Sequence, residues 1–262
     1  YDIDIARLLR MILRHALACA VLLVATLVVF GDVLFTGHGR ILSAEGQDLS
    51  SIFFYWDRFG FGELARGNLV LWNPYSFAGA PFLGGFQPAL LYPPNWLHLI
   101  LPTAQAINVG IALHFFLAGL WVYLWTSHRG LRPAACILAG VVFMFCGAHF
   151  LQFYSAHIPP VCTLVWAPLI FLAIDHVLED PSLSWVLLGM GAVAMQILAG
   201  TIQYVHYTAM IAGPYAFLGL LTTERRLRKV GALTAIALGG ASLAAIQLLT
   251  AVDAVAESLR AD

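Results

Sequence analysis

Apolar runs of about 20 residues recur along this chain, and they constrain its fold more than any other feature. Lipid supplies no hydrogen bonds to the backbone, so a segment that crosses a bilayer must be a helix or a strand of a closed barrel. Continuous runs, as opposed to alternating ones, select helices. The sequence therefore predicts an all-α, polytopic transmembrane bundle with about seven spans. These spans cover residues 16–35, 105–126, 133–151, 159–175, 184–200, 205–222 and 230–250.

Composition agrees with a membrane protein. Of 262 residues, 61% are hydrophobic and 10% are charged, whereas soluble domains carry about 25% charged residues. The net charge of −1 gives no reason to expect nucleic acid as a partner. All four cysteines fall in apolar stretches without metal-ligand spacing, so we interpret them as core residues. The chain lacks an initiating methionine and stops within a pattern, so we expect a single transmembrane domain, 1–262, from a longer protein.

The positions of the basic residues predict the topology. Arg7, Arg10 and Arg14 precede the first run, and no small-residue cleavage site follows it, which favours an uncleaved anchor with a cytoplasmic N-terminus. The stretch from Pro88 to Pro102 is apolar but short and rich in proline. If it does not span, the basic clusters at 128–132 and 225–229 both face the cytoplasm, as the positive-inside rule requires; if it spans, both face outward.

We therefore expect residues 36–104 to form one extracytoplasmic loop, carrying interfacial helices, of a protein in the bacterial inner membrane. Apolar residues at helical spacing predict an amphipathic helix at the membrane surface, with Asp57 and Arg58 on its other faces. Its apolar residues are Leu49, Ile52, Phe53, Trp56 and Phe59. A second interfacial or re-entrant piece is expected over residues 89–101.

Polar and aromatic residues collect at the predicted external ends of the helices. Asp48 is the candidate catalytic carboxylate, although its position before a helix is also that of an N-cap. Tryptophan and tyrosine could instead be interfacial anchors, and histidines near helix ends often satisfy backbone carbonyls. No zinc-site spacing is present, so a metal stays unassigned; His114, within a span, is interpreted as structural. The candidate binding residues are Trp72, Asn73, Tyr75, Gln87, Tyr92, Asn95, His149, His157, Gln203 and His206.

An ordered series of motifs runs through the predicted loop. An aspartate is followed by an aromatic helical segment, an LWNPY turn, a G-x-P step, a glutamine and a YPxN element. As a series they resemble the first external loop of the bacterial YfhO-type membrane proteins, and Leu198–Tyr207 resembles a helix-end motif of the same family. Ser50 and Ser51 depart from it, where a polar glutamine is common. The matching positions are Asp48, Leu71–Tyr75, Gly79–Pro81, Gln87 and Tyr92–Asn95.

The resemblance implies a C-type glycosyltransferase that moves a sugar from a polyprenyl-phosphate-linked donor to an envelope glycopolymer or glycolipid outside the membrane. Asp48 would then be the general base, while a histidine, Gln203 or Arg66 would contact the leaving phosphate. Such enzymes can use a divalent metal, but close to Asp48 the sequence offers only Glu45 and Asp57 as further carboxylates. Two alternatives stay open: a transporter or flippase for a lipid-linked or amphipathic substrate, and a non-catalytic membrane scaffold.

The predicted topology can be tested by cysteine accessibility on a functional cysteine-free background. Single cysteines at Ser51 and Ser76 are expected to react with an impermeant thiol reagent added outside the cell. Cysteines at Ser127 and Thr223 are expected to react only after permeabilisation, because both lie in predicted cytoplasmic loops. External labelling at Ser127 would show that the stretch from Pro88 to Pro102 crosses the membrane.

Overall fold

The computed structural model describes residues 5–35, 40–42, 47–76 and 78–256, and helices dominate these segments. A two-residue antiparallel ladder pairs β1 (Trp72–Asn73) with β2 (Ala80–Pro81). The α-helices are α1 (Ile5–Phe35), α2 (Phe54–Leu64), α3 (Thr103–His128), α4 (Pro133–Met144), α5 (Gly147–Tyr154), α6 (Ile158–Leu164), α7 (Ala167–Glu179), α8 (Leu183–Leu198), α9 (Ile202–Leu221), α10 (Arg226–Leu243) and α11 (Ala245–Ala256).

Length and composition identify four or five membrane crossings among the described residues, fewer than the seven expected. The bend of 67° between α10 and α11 makes the fifth crossing conditional on these two helices forming one broken span. α8 has only 16 residues, and α9, although it has 20, does not reach the apolarity of the other spans. The stretches that qualify are Met11–Phe35, Thr103–His128, Pro133–Tyr154 and Ile158–Glu179.

Two of these stretches, Pro133–Tyr154 and Ile158–Glu179, are interrupted, and the turn between them shapes the candidate site. α4 ends at Met144 and α5 begins at Gly147, so the second part of this stretch is a separate short helix. The turn after α5 contains Ala156 in a left-handed conformation (φ 61°), and α6 then begins with proline in its first turn, where a missing N–H costs least. This turn brings His157 to the start of α6.

Glycines allow α3 and α4 to approach closely, as small residues commonly do between membrane helices. A Cβ added at Gly140 would lie 2.9 Å from the backbone oxygen of Gly119, and one added at Gly119 would clash with Met144. Leu22 of α1, which is fully buried, reaches the same contact. α1 therefore packs into the bundle with α3 and α4.

The loop helix is present, but its buried face differs from the predicted one. A π-helical turn, Leu49–Phe53, continues directly into α2. The side chains that point inward recur every four residues and include Asp57, which the sequence analysis assigned to a different face. Ile52, expected on the apolar face, is 37% exposed. The expectation about Asp57 is therefore wrong: at four-residue spacing it follows Leu49 and Phe53 to the same side.

The proline-rich stretch does not form a spanning helix. It contains a 3₁₀-helix, Pro93–Leu99, of 7 residues, which at about 2 Å per residue is roughly 14 Å long. A hydrocarbon core of about 30 Å is twice that length. This helix packs instead against α2 and α3, in agreement with the non-spanning interpretation of residues 88–102.

The close contact of α3 with α4 predicts a different response at two helical glycines. Gly140→Ala is expected to lower stability by about 1 to 3 kcal/mol, because its Cβ would push against backbone and not against a movable side chain. Gly231→Ala in α10 meets no atom within 4 Å and is expected to be neutral or to gain up to about 1 kcal/mol from helix propensity. Thermal unfolding in detergent measures both; equal melting temperatures would contradict the packing argument.

Candidate functional site

An aspartate and a histidine meet at the junction between the loop and the helix ends. Oδ2 of Asp48 lies 2.7 Å from Nε2 of His157, although the two residues are 109 positions apart. Asp48 occupies the N-cap position of the helical turn, but its side chain makes no capping hydrogen bond to a described residue. The two side chains are 45% and 48% exposed. They form an accessible carboxylate–imidazole pair, so the capping alternative for Asp48 is wrong.

A second contact holds the same junction. Nε2 of Gln47 donates to the backbone oxygen of Tyr154, 2.9 Å away, in the turn that leads to His157. The hydroxyls of Ser50 and Ser51 both donate to the backbone oxygen of Gln47, which stabilises the start of the loop helix. The position of Asp48 is thus set from both sides, by its own helix and by the turn after α5.

A small cavity with a mostly apolar lining adjoins this pair. Leu49 and Ile158, the chain neighbours of Asp48 and His157, both line it, and its volume is about 50 Å³. A space of this size holds a few water molecules or a small polar group, and it is too small for a whole sugar. Its polar lining residues come from the loop and from α3: Asp57, Gln87, Asn95, His98 and His114.

Asp57 and His98 form a buried titratable pair in this cavity. Oδ2 of Asp57 lies 3.7 Å from Nε2 of His98, and the side chains are 16% and 6% exposed. Phe61 stacks on the imidazole at 4.8 Å, and Nδ1 of His98 has no hydrogen-bond partner among the described residues. Burial raises the pKa of Asp57 to about 8 and lowers the pKa of His98 to about 4, because a charged form loses its hydration. Near neutral pH both groups are therefore uncharged.

Tyr92 is an internal link and not a surface residue. Its side chain is fully buried; its hydroxyl lies 2.7 Å from Nε2 of His114 and accepts a hydrogen bond from Nε1 of Trp166 at 2.8 Å. Nδ1 of His114 lies 2.6 Å from the backbone oxygen of Gly110, so both ring nitrogens have partners. This chain of hydrogen bonds ties the loop to α3 and α7 and agrees with the structural interpretation of His114.

The hairpin residues lie around a different, open hollow of about 740 Å³, which Asn73 and Tyr75 line. Asn73 is buried and uses its amide within the turn, accepting from the backbone N–H of Tyr75 at 2.9 Å and donating to Ser76 at 3.1 Å. Trp72 and Tyr75 are 54% and 81% exposed. Of these three, the two aromatic rings are free to meet a ligand or a lipid surface.

The remaining predicted residues do not line the small cavity beside Asp48 and His157. His149 is buried, with Nδ1 2.7 Å from the backbone oxygen of Phe143. Gln203 donates to the hydroxyl of Tyr207 at 2.5 Å, and His206 is exposed. The structure thus pairs His157 with Asp48, places Gln87 and Asn95 in the lining of the adjoining cavity, and leaves His149, Gln203 and His206 outside both.

Sequence reasoning missed the pairing of Asp57 with His98. A signal for Asp57 was available, because residues 49, 53 and 57 share one helical face and two of the three are strongly apolar. His98 carries no such signal, since a 3₁₀-helix seven residues long shows little periodicity.

Comparison of the chain with protein-family models, with curated proteins and with solved structures gave no match.

The buried carboxyl group makes stability depend on pH. The pKa of Asp57 rises from an ordinary 3.8 to about 8 on folding, so its contribution is fully present below pH 4 and is lost as pH rises towards 8. Asp57→Asn, neutral at every pH, is expected to exceed the parent protein by about 3 to 5 kcal/mol at pH 7.5, because each pH unit between 3.8 and 7.5 removes up to about 1.4 kcal/mol of stability from the parent; this is roughly 6 to 20 °C in melting temperature. The advantage should vanish near pH 4.

Thermal unfolding of the detergent-solubilised protein between pH 4 and pH 8 measures this difference. Asp253→Asn, at an exposed position of α11, is the matched control and is expected to follow the parent protein throughout. A pH dependence that Asp57→Asn leaves intact would contradict the assignment.

Proposed function

We propose that this chain is the transmembrane part of a glycosyltransferase that uses a polyprenyl-phosphate-linked sugar. The observation that carries the proposal is the accessible Asp48–His157 pair, which adjoins a small, mostly apolar cavity that also exposes amide, imidazole and carboxyl groups. The motif series shared with YfhO-type proteins supports the same reaction class. A pair of this kind is a suitable base for a hydroxyl nucleophile.

In the proposed reaction an acceptor hydroxyl oxygen attacks the anomeric carbon of the donor sugar. The bond from that carbon to the phosphate oxygen breaks, and its electron pair leaves with the polyprenyl phosphate. Asp48 takes the proton of the attacking hydroxyl, while His157 orients the carboxylate through the 2.7 Å contact. Asp48 suits this role better than Asp57, because the pKa of about 8 leaves Asp57 mostly protonated near pH 7, where it cannot take up the proton of a hydroxyl nucleophile.

The membrane arrangement belongs to the same proposal. We place the N-terminus in the cytoplasm of a bacterial cell and count α8, α9 and the α10–α11 pair as crossings, which gives seven. Residues 36–104 then lie outside the inner membrane. A lipid-linked donor would keep its prenyl tail among the helices while its phosphate and sugar emerge beside Asp48. The exposed Trp72 and Tyr75 would contact the headgroup region or the acceptor, an envelope glycopolymer or glycolipid.

Transport of a lipid-linked substrate is the less favoured alternative. A transporter binds its cargo near the bilayer midplane with polar groups that are free to do so. Two polar residues within the predicted spans both have protein partners: His114 contacts Tyr92, and Gln196 donates to Thr208 at 2.8 Å. These contacts are typical of hydrogen bonds between helices.

The test is transfer of radiolabel by membranes that contain the full chain, supplied with polyprenyl-phosphate-linked sugars one at a time. Asp48→Asn is expected to lower the rate by about 100- to 10,000-fold, the usual contribution of a general base, with expression and donor photolabelling unchanged. His157→Ala is expected to lower it less, because the carboxylate stays in place.

Asp180→Asn, an exposed carboxylate after α7, is the matched control and should retain full activity. Unchanged transfer in Asp48→Asn would remove this residue from the mechanism. Movement of the intact donor across proteoliposome membranes without label in the acceptor would favour the transporter, and neither activity in the parent protein would favour the scaffold.

A further inference from the structure

A second cluster of chemically active side chains lies at the ends of α3 and α7. It consists of His128, His176 and Glu179, which offer one donor atom each, and these atoms all lie within 4.8 Å of one another. His128 and His176 are half-buried, and Glu179 is exposed. We propose that these three residues bind a divalent transition metal, with zinc as the best match, because two imidazoles and one carboxylate are a common zinc donor set.

The contact between His128 and Glu179 has the geometry of two ligands, not that of a hydrogen bond. Nε2 of His128 lies 3.2 Å from Oε1 of Glu179, yet Nε2 is buried and has no hydrogen-bond partner among the described residues. The oxygen is therefore out of line with the nitrogen's bonding direction. Two ligands at about 2.0 to 2.1 Å from a tetrahedral zinc ion lie about 3.3 Å apart, close to the separation observed.

Ring stacking holds the third donor nearby. The imidazole of His176 lies between two rings: His128, with ring centroids 3.8 Å apart and planes inclined by 36°, and Trp185 of α8, at 3.6 Å and 12°. A tetrahedral ion needs the two imidazoles to diverge more than this, so binding would tilt His176 away from its stack on Trp185. The movement is a side-chain rotation, because α3 and α7 already bring the donor atoms together.

The electrostatic surroundings favour a cation. His128, His176 and Glu179 all lie in the last turns of their helices, where backbone carbonyls carry partial negative charge. Arg129 and Lys229 line the same hollow as the cluster, together with the carboxylates of Asp175 and Glu224; Arg129 pairs with Asp175, and Lys229 donates to the backbone oxygen of Leu178 at 2.5 Å. An open hollow of about 730 Å³, lined by His128 and Glu179, would admit water as a fourth ligand.

The ion would join the end of α3 to the end of α7. Asp175 of α7 and Arg129, the residue directly after α3, make a second link beside it, at 2.8 Å. The proposal is independent of the proposed transferase activity, since the cluster shares no residue with the Asp48 junction.

Zinc binding to the purified full chain, after removal of any affinity tag and chelator treatment, tests the site. One equivalent of Zn²⁺ is expected to bind, and Co²⁺ should give the strong visible absorption of a four- or five-coordinate site. Loss of hydrogen-bond partners around a metal ligand already costs about 10- to 100-fold in affinity, so His128→Ala and His176→Ala should each raise Kd by about 100-fold or more.

Glu179→Gln keeps the experiment decisive if a histidine variant misfolds, because this side chain is 66% exposed; it should raise Kd by at least about tenfold. Glu224→Gln, in the wall of the same hollow, is the matched control and should leave Kd unchanged. The proposal would be overturned if the parent protein bound no stoichiometric zinc. It would also be overturned if the doubly substituted His128→Ala/His176→Ala protein still bound one equivalent of Zn²⁺.

Discussion

Buried polar groups in a lipid-facing bundle must find their partners within the protein, because hydrocarbon offers none, and the helical part of this protein depends on that constraint. The carboxylate of Asp175 is the clearest case: it accepts hydrogen bonds from Trp125 of α3 at 2.8 Å and from Tyr215 of α9 at 2.5 Å, and it pairs with Arg129. A single α7 side chain thus connects three elements. Removing Arg129 would leave the buried carboxylate without its counter-ion, which is far costlier than a lost surface ion pair.

The loop is joined to the bundle by the same kind of contact, at two depths. In the interior, Tyr92 is held by His114 and Trp166; at the surface, Asp48 meets His157. Between the two lies the small cavity with its uncharged Asp57 and His98. The two contacts therefore have different roles. The fully buried hydroxyl of Tyr92 stabilises the fold, whereas the half-exposed carboxylate of Asp48 is accessible for proton exchange with a substrate.

The loop helix shows what hydrophobic periodicity predicts and what it does not predict. The hydrophobic residues of 49–59 predict a helix, and a helix is present. They do not predict its rotation, since aromatic residues occur on more than one face and Ile52 is exposed while Asp57 is enclosed. The rotation is decided by what lies opposite, namely the 3₁₀-helix with His98 and the start of α3. Likewise, α8 and α9, which the sequence predicted as spans, lack the length or the apolarity of the stretches that qualify.

By itself, the sequence determined the helical class, the apolar spans with the clearest hydropathy, the loop helix and the non-spanning proline-rich stretch, because these follow from local composition and periodicity. It also singled out Asp48 and His157 separately. Only the tertiary structure decided that these two meet across 109 residues and that Asp57 faces His98. It also decided that the amide of Asn73 is used in hydrogen bonds within its own turn, and that His128, His176 and Glu179 converge. Contacts of this kind depend on the packing of distant helices, and no local pattern of residues encodes the rotation and depth at which two helices meet.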